Sequence, residues 1–205
     1  MRGFIMLHRT TRYILAAVQA IVGWEWFMSG GNKLFSGSFP QGLAKTLNNN
    51  MNNNPNSWYV TFLQQNVLPH SIFYGYLIEW MEVAIGVIFL TGALLLLGQQ
   101  RVQGEPQHHH AVAYSIIVAI AALAGIVMTV NFHFLMGGWI VPLFNATAAN
   151  GESIDLDALL PPLSLVIIIS NLALANELTR GRLFKRFSRK IYAHQSASPN
   201  GVSMN

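Results

Sequence analysis

Four long apolar stretches constrain this chain more than any other feature. They cover residues 13–34, 72–97, 111–136 and 159–178, each close to the roughly 20 helical residues that cross a bilayer. Only 10% of the 205 residues are charged and 52% are hydrophobic, whereas an ordinary soluble domain carries about 25% charged residues. The mean hydropathy is +0.38. The polar surface that a water-soluble fold of this size needs is missing, so the pattern predicts an all-α integral membrane four-helix bundle. Residues 13–180 form its single domain, between an N-terminal tail (1–12) and a basic, then disordered, C-terminal tail (181–205).

The first stretch begins with basic residues, as a signal peptide does, but it holds Glu25, Trp24, Trp26 and Phe27 and is not followed by a small-residue cleavage pattern. It is expected to stay as a span. Orientation follows from the lysines and arginines. Arg2, Arg9 and Arg12, Arg101, and six residues between positions 180 and 190 place ten of the twelve basic residues on one side. Lys33 and Lys45 lie on the other side, with Glu152, Asp155 and Asp157. Both termini are therefore expected in the cytoplasm. The same asymmetry accounts for the pI of about 9.6 without nucleic acid, because the C-terminal basic run suits anionic headgroups.

The outer connection over residues 35–71 is long and rich in asparagine, with an aromatic segment, Trp58-Tyr59-Val60-Thr61-Phe62-Leu63. A structureless loop of that length is unusual, so part of it is expected to be ordered. Trp and Tyr within it favour the membrane interface. His108, His109 and His110 fall in the inner loop with no cysteine and only one acidic residue, Glu105, in the adjoining sequence, which favours a solvated segment over a metal site.

Ionisable residues inside a span are costly and mark candidate sites. At 1.5 Å per residue, Glu25 lies about 13 Å below the outer end of the first span, and Glu79 and Glu82 about 10–15 Å into the second. Glu79 and Glu82, three residues apart, share a helix face. Asn131 and His133 fall in the outer third of the third span, and Lys33 sits at the rim. Three carboxylates in one apolar layer resist simultaneous ionisation, since desolvation and like charge both disfavour the charged form. Such a layer suits proton exchange with a bound quinone or hydroquinone. Glu25, Glu79, Glu82 and His133 are the candidate proton-transfer residues. Trp26, Lys33, Trp80 and Asn131 are candidates to hold the ring.

Other chemistries fit less well. A transmembrane bis-imidazole haem needs two facing histidines, and only His133 lies well inside a span. Dinuclear carboxylate sites use Glu-x-x-His pairs on two helices, and the sequence has that spacing only once, from Glu105 to His108. The chain has no cysteine, which removes thiolate metal sites and persulfide chemistry on this chain. Gly30-Gly31 and Gly137-Gly138 lack the surroundings of a dinucleotide-binding turn. No haem, flavin or metal is expected. A transporter is disfavoured by the lack of an inverted repeat or a broken midplane helix.

Several segments resemble the DoxX/DoxD family of membrane proteins. Trp26-Phe27-Met28-Ser29-Gly30-Gly31-Asn32-Lys33-Leu34, followed by Phe39-Pro40-Gln41-Gly42-Leu43, is similar to the family's first-helix signature. Asn54-Pro55-Asn56-Ser57-Trp58-Tyr59-Val60-Thr61-Phe62-Leu63 and Gly75-Tyr76-Leu77-Ile78-Glu79-Trp80-Met81-Glu82 resemble the DoxD branch. Asn131-Phe132 with Gly137 resembles the end of its third helix. The chain departs from the common pattern at Asn32, where an acidic residue often precedes the lysine, and at His133. The resemblance implies a four-helix subunit of a bacterial or archaeal cytoplasmic membrane. It also implies an association with thiosulfate:quinone oxidoreductase, with quinone as cofactor and partner subunits in a membrane redox complex. The alternative expectation is a non-catalytic accessory subunit of a larger respiratory or photosynthetic complex, docked through the outer loop.

Overall fold

The computed structural model describes residues 2–98, 105–138, 159–177 and 179. Six α-helices make up nearly all of them: α1 (Arg2–Ser36), α2 (Phe39–Met51), α3 (Ser57–Phe62), α4 (Ser71–Gly98), α5 (Glu105–Leu135) and α6 (Leu159–Glu177). There are no strands among the described residues. Arg101, the acidic trio Glu152, Asp155 and Asp157, and the basic run over residues 180–190 lie outside them.

Three helical segments are long and apolar enough to cross a membrane: Ser57–Gly98, which joins α3 to α4 through Leu63–Val67 and Leu68–His70, then His110–Leu135 and Leu159–Glu177. The first stretch read from the sequence is not among them. At 35 residues α1 is long enough, but Gln19, Glu25 and Ser29 dilute its apolar centre. It also extends back to Arg2, so most of the expected N-terminal tail is helix.

The packing follows from small residues. A Cβ added to Gly86 of α4 would fall 2.5 Å from the backbone nitrogen of Phe27 on α1, and one added to Gly30 of α1 would fall 2.7 Å from that of Val83. The two backbones therefore touch, as small residues permit between helices in lipid, where close packing replaces hydrophobic expulsion as the driving force. The central core joins Val22 and Trp26 of α1, Phe89 of α4, Val118 and Ala122 of α5, and Ile167 of α6. A second cluster, Leu15, Ala16, Ala93, Leu96 and Leu174, continues it toward the C-terminal end of α4. Large apolar side chains also cover the outside, including Ile21, Leu94, Ile120 and Ile169, each at least 60% exposed. Apolar exposure on this scale suits lipid and not water.

The Asn-rich connection is ordered. In α2, Leu43, Leu47 and Met51 recur every four residues and turn one face inward, onto Tyr59, Leu63 and Leu135. Pro40 stands in the first turn, where its missing N–H costs no helical bond. This cap is tied to the end of α5. Gly137 takes φ +81° and ends that helix, with Gly138 N–H donating to His133 O at 2.8 Å and Gly137 N–H to Phe134 O at 3.1 Å, the paired bonds of a Schellman motif. The Asn54 amide donates to the carbonyl of Phe134 at 2.7 Å, a second bond to that acceptor, and to that of Leu135 at 3.1 Å, which the helix end leaves open. Asn56 donates to Gly138 O at 2.8 Å. The Tyr59 hydroxyl reaches Asn131 O at 3.0 Å.

Candidate functional site

The polar layer read from helical depths assembles around one ion pair. Lys33 stands one turn past Ser29 on α1, and its ammonium donates to both carboxylate oxygens of Glu82 on α4 and to Ser29 Oγ at 3.1 Å. Glu82 is 1% exposed. Its approach depends on Gly30, where an added Cβ would lie 2.8 Å from the Glu82 Cβ. The rings of Phe39 (α2) and Phe132 (α5) flank the ammonium with centroids 5.2 and 5.6 Å from Nζ, within cation–π range.

This pair forms part of the wall of a cavity of about 280 Å³. Glu25, Trp26, Lys33 and Ser29 contribute from α1, Phe39, Leu43 and Thr46 from α2, Glu82 from α4, Phe132 and Leu135 from α5, and Leu160 from α6. Glu25 is half-buried and makes no hydrogen bond or ion pair among the described residues. Trp26 is 3% exposed, and its indole N–H has no hydrogen-bond partner there. The wall thus offers a fixed ammonium–carboxylate pair, an uncommitted carboxylate and several aromatic faces, while the Trp26 indole nitrogen is turned toward Gly125 and withdrawn from the open space.

Of the eight residues singled out from the sequence, Glu25, Trp26, Lys33 and Glu82 come together here. The other four take different positions. Glu79 is buried one turn before Glu82, with its Oε2 lacking a hydrogen-bond partner, but it does not line the cavity. The His133 imidazole packs directly against Gly138, leaving no room there for a Cβ. Asn131 is engaged in the fold: its side chain accepts from the Tyr59 hydroxyl at 3.2 Å and donates to Val127 O at 2.7 Å. Trp80 is 59% exposed and lies on the outer face; its position one residue from Glu79 along a helix turns it by about 100°.

Sequence reasoning missed the contribution of α2. Phe39, Leu43 and Thr46 repeat at helical spacing, a signal masked by the glycine and asparagine around them. It also missed Ser29, whose signal is its place four residues before Lys33. A separate buried contact lies deeper in the bundle. Gln19, fully buried, donates to Phe89 O at 3.2 Å and accepts from the Asn171 amide at 3.3 Å, which joins α1, α4 and α6. Compared with known proteins, the chain matches no family model, no curated protein and no solved structure.

Proposed function

We propose that this chain is a quinone-reactive subunit of a membrane redox complex, DoxD-like in kind. In this reading it is a four-span bundle with both termini cytoplasmic. The extensive packing of α1 along α4 supports a fourth span, since a helix so placed lies in the same layer as its partner. The cavity carries the reading. One compartment holds the Lys33–Glu82 pair, the uncommitted Glu25 carboxylate and the rings of Trp26, Phe39 and Phe132. Phe39 and Phe132 would flank a flat ring, and Glu25 would exchange protons with its oxygens.

The balance is the ordinary one for this couple: a quinone gains two electrons and two protons to become a hydroquinone. The electrons pass to or from a redox centre on a partner subunit. The protons pass through Glu25, while both oxygens of Glu82 are engaged by Lys33, so that it steadies the site without competing for them. General acid–base groups positioned in this way typically contribute 10²–10⁴-fold. The test is quinone-dependent turnover of the purified complex with Glu25→Gln and Glu79→Gln. A loss of about 100-fold in Glu25→Gln, with insertion and yield unchanged, supports the reading. Unchanged turnover in Glu25→Gln contradicts it, whatever Glu79→Gln does.

The accessory-subunit reading is favoured by one observation. The ordered cap presents Trp58 and Phe62 on its surface, 56% and 45% exposed, as an interface for a partner subunit would. It expects loss of complex assembly on deletion of residues 48–62, with quinone turnover located in another chain.

A further inference from the structure

The charges along the cavity wall do not cancel. Both carboxylate oxygens of Glu82 face the Lys33 ammonium, and Ser29 takes a further Lys33 hydrogen. Glu25 is left as one carboxylate more than the lining has cations. Lys45, on the same helix as Phe39 and Thr46, is exposed and does not line the cavity. The sequence from 139 to 158, which precedes the cavity residue Leu160, holds no lysine, arginine or histidine. The rest of the lining is apolar or aromatic, apart from the hydroxyl groups of Ser29 and Thr46, so little in the wall screens the Glu25 charge.

We infer that the cavity selects ligands by charge, admitting neutral or cationic rings and rejecting anions, with Glu25 as the specificity-determining residue. The identity of the neutral ring as a quinone rests on the function proposed above; the charge rule does not. For that function the consequence is spatial. An anionic reductant such as thiosulfate is excluded from this cavity, so its oxidation belongs to a partner subunit, and only the quinone half of the reaction takes place here. A like charge set against a ligand is a means of discrimination in its own right, independent of any contact that favours the correct one.

The test uses the full chain in nanodiscs of zwitterionic lipid, with equilibrium dialysis against empty nanodiscs and two matched pairs of probes. The first pair is 1,4-naphthoquinone and its 2-sulfonate. The second has no quinone chemistry: benzyltrimethylammonium and benzenesulfonate. Wild type is expected to prefer the uncharged quinone and the organic cation over their anionic counterparts by at least tenfold. Glu25→Gln, nearly isosteric, is expected to shrink both ratios to threefold or less. Thr46→Lys places a cation from an exposed α2 position at the wall, and is expected to raise affinity for both anions. A cation preference that depends on Glu25, with no naphthoquinone binding, upholds the charge rule and rejects the quinone reading. The charge rule is overturned if the sulfonates bind wild type as well as their counterparts do. It is equally overturned if Glu25→Gln leaves the ratios unchanged, or if benzyltrimethylammonium shows no saturable binding.

Discussion

Lys33 on α1 and Glu82 on α4 are joined by a two-oxygen ion pair, with the carboxylate side almost wholly withdrawn from solvent. Such a pair is asymmetric in its energetics. Removing one partner strands the other, at a cost of about 3–5 kcal/mol, whereas replacing both with apolar residues is often neutral. Lys33→Met is therefore expected to destabilise the bundle by about that amount. The double variant Lys33→Met/Glu82→Leu should recover most of the loss. Unfolding of the four proteins of this cycle in one detergent checks it, and equal losses in the single and double variants would remove the pair from the account.

The contact between α1 and α4 depends on Gly86. Alanine there sets a methyl group 2.5 Å from the Phe27 backbone, which has no flexible side-chain end to yield. Gly86→Ala is expected to loosen α1, at a cost of about 1–3 kcal/mol for an overpacked site. Gly42, with nothing within 4 Å of its added Cβ, is the matched control at an exposed position of α2. A melting temperature that falls equally in both variants contradicts the close approach.

The cap is held to α5 by side-chain amides, so Asn54→Ala takes a donor from two carbonyls, of which Phe134 O keeps Gly137 N–H and Leu135 O is left without one among the described residues. The expected loss is about 1–3 kcal/mol if Leu135 O stays shielded from water. Limited proteolysis within residues 48–56 is the sensitive readout, with faster cleavage than in wild type. Tyr59→Phe, which loses the bond to Asn131 O, is expected to show a smaller effect in the same direction.

Much of this arrangement was legible in the sequence, and the boundary has physical causes. Uniform apolar runs identify α4, α5 and α6, because lipid demands them whatever the packing. Helical rise alone placed Glu25, Glu79 and Glu82 at a common level with Lys33 at the rim, but not the pairing of Lys33 with Glu82. Rotation about each helix was harder to read. Glu79 and Trp80 are neighbours in sequence, yet one is buried and the other exposed. In a span apolar on all sides, polarity does not reveal which face turns inward. The α2 cap was hidden because its inward face is only Leu43, Leu47 and Met51 among asparagines. His133 was read as part of the polar layer, but the turn at Gly137 folds Gly138 over its ring, a local geometry that depth arithmetic does not contain.

Gln19 and Asn171 are expected to stabilise the bundle without serving the cavity. Gln19→Leu removes the contacts to Phe89 O and Asn171, and interhelical hydrogen bonds in membranes average about 0.6 kcal/mol. A small loss of stability with naphthoquinone affinity unchanged is the expected outcome. A large loss of affinity would extend the site well beyond the cavity described here.

The central claim is that a quinone ring occupies the cavity beside Glu25 and the Lys33–Glu82 pair, and photolabelling addresses it most directly. An azidoquinone irradiated with the protein in nanodiscs, followed by peptide mapping, is expected to label residues 25–39 and the segment around Phe132. Excess unlabelled quinone should compete the label away. Competable labelling confined to other segments, or labelling that quinone fails to compete, would contradict the account.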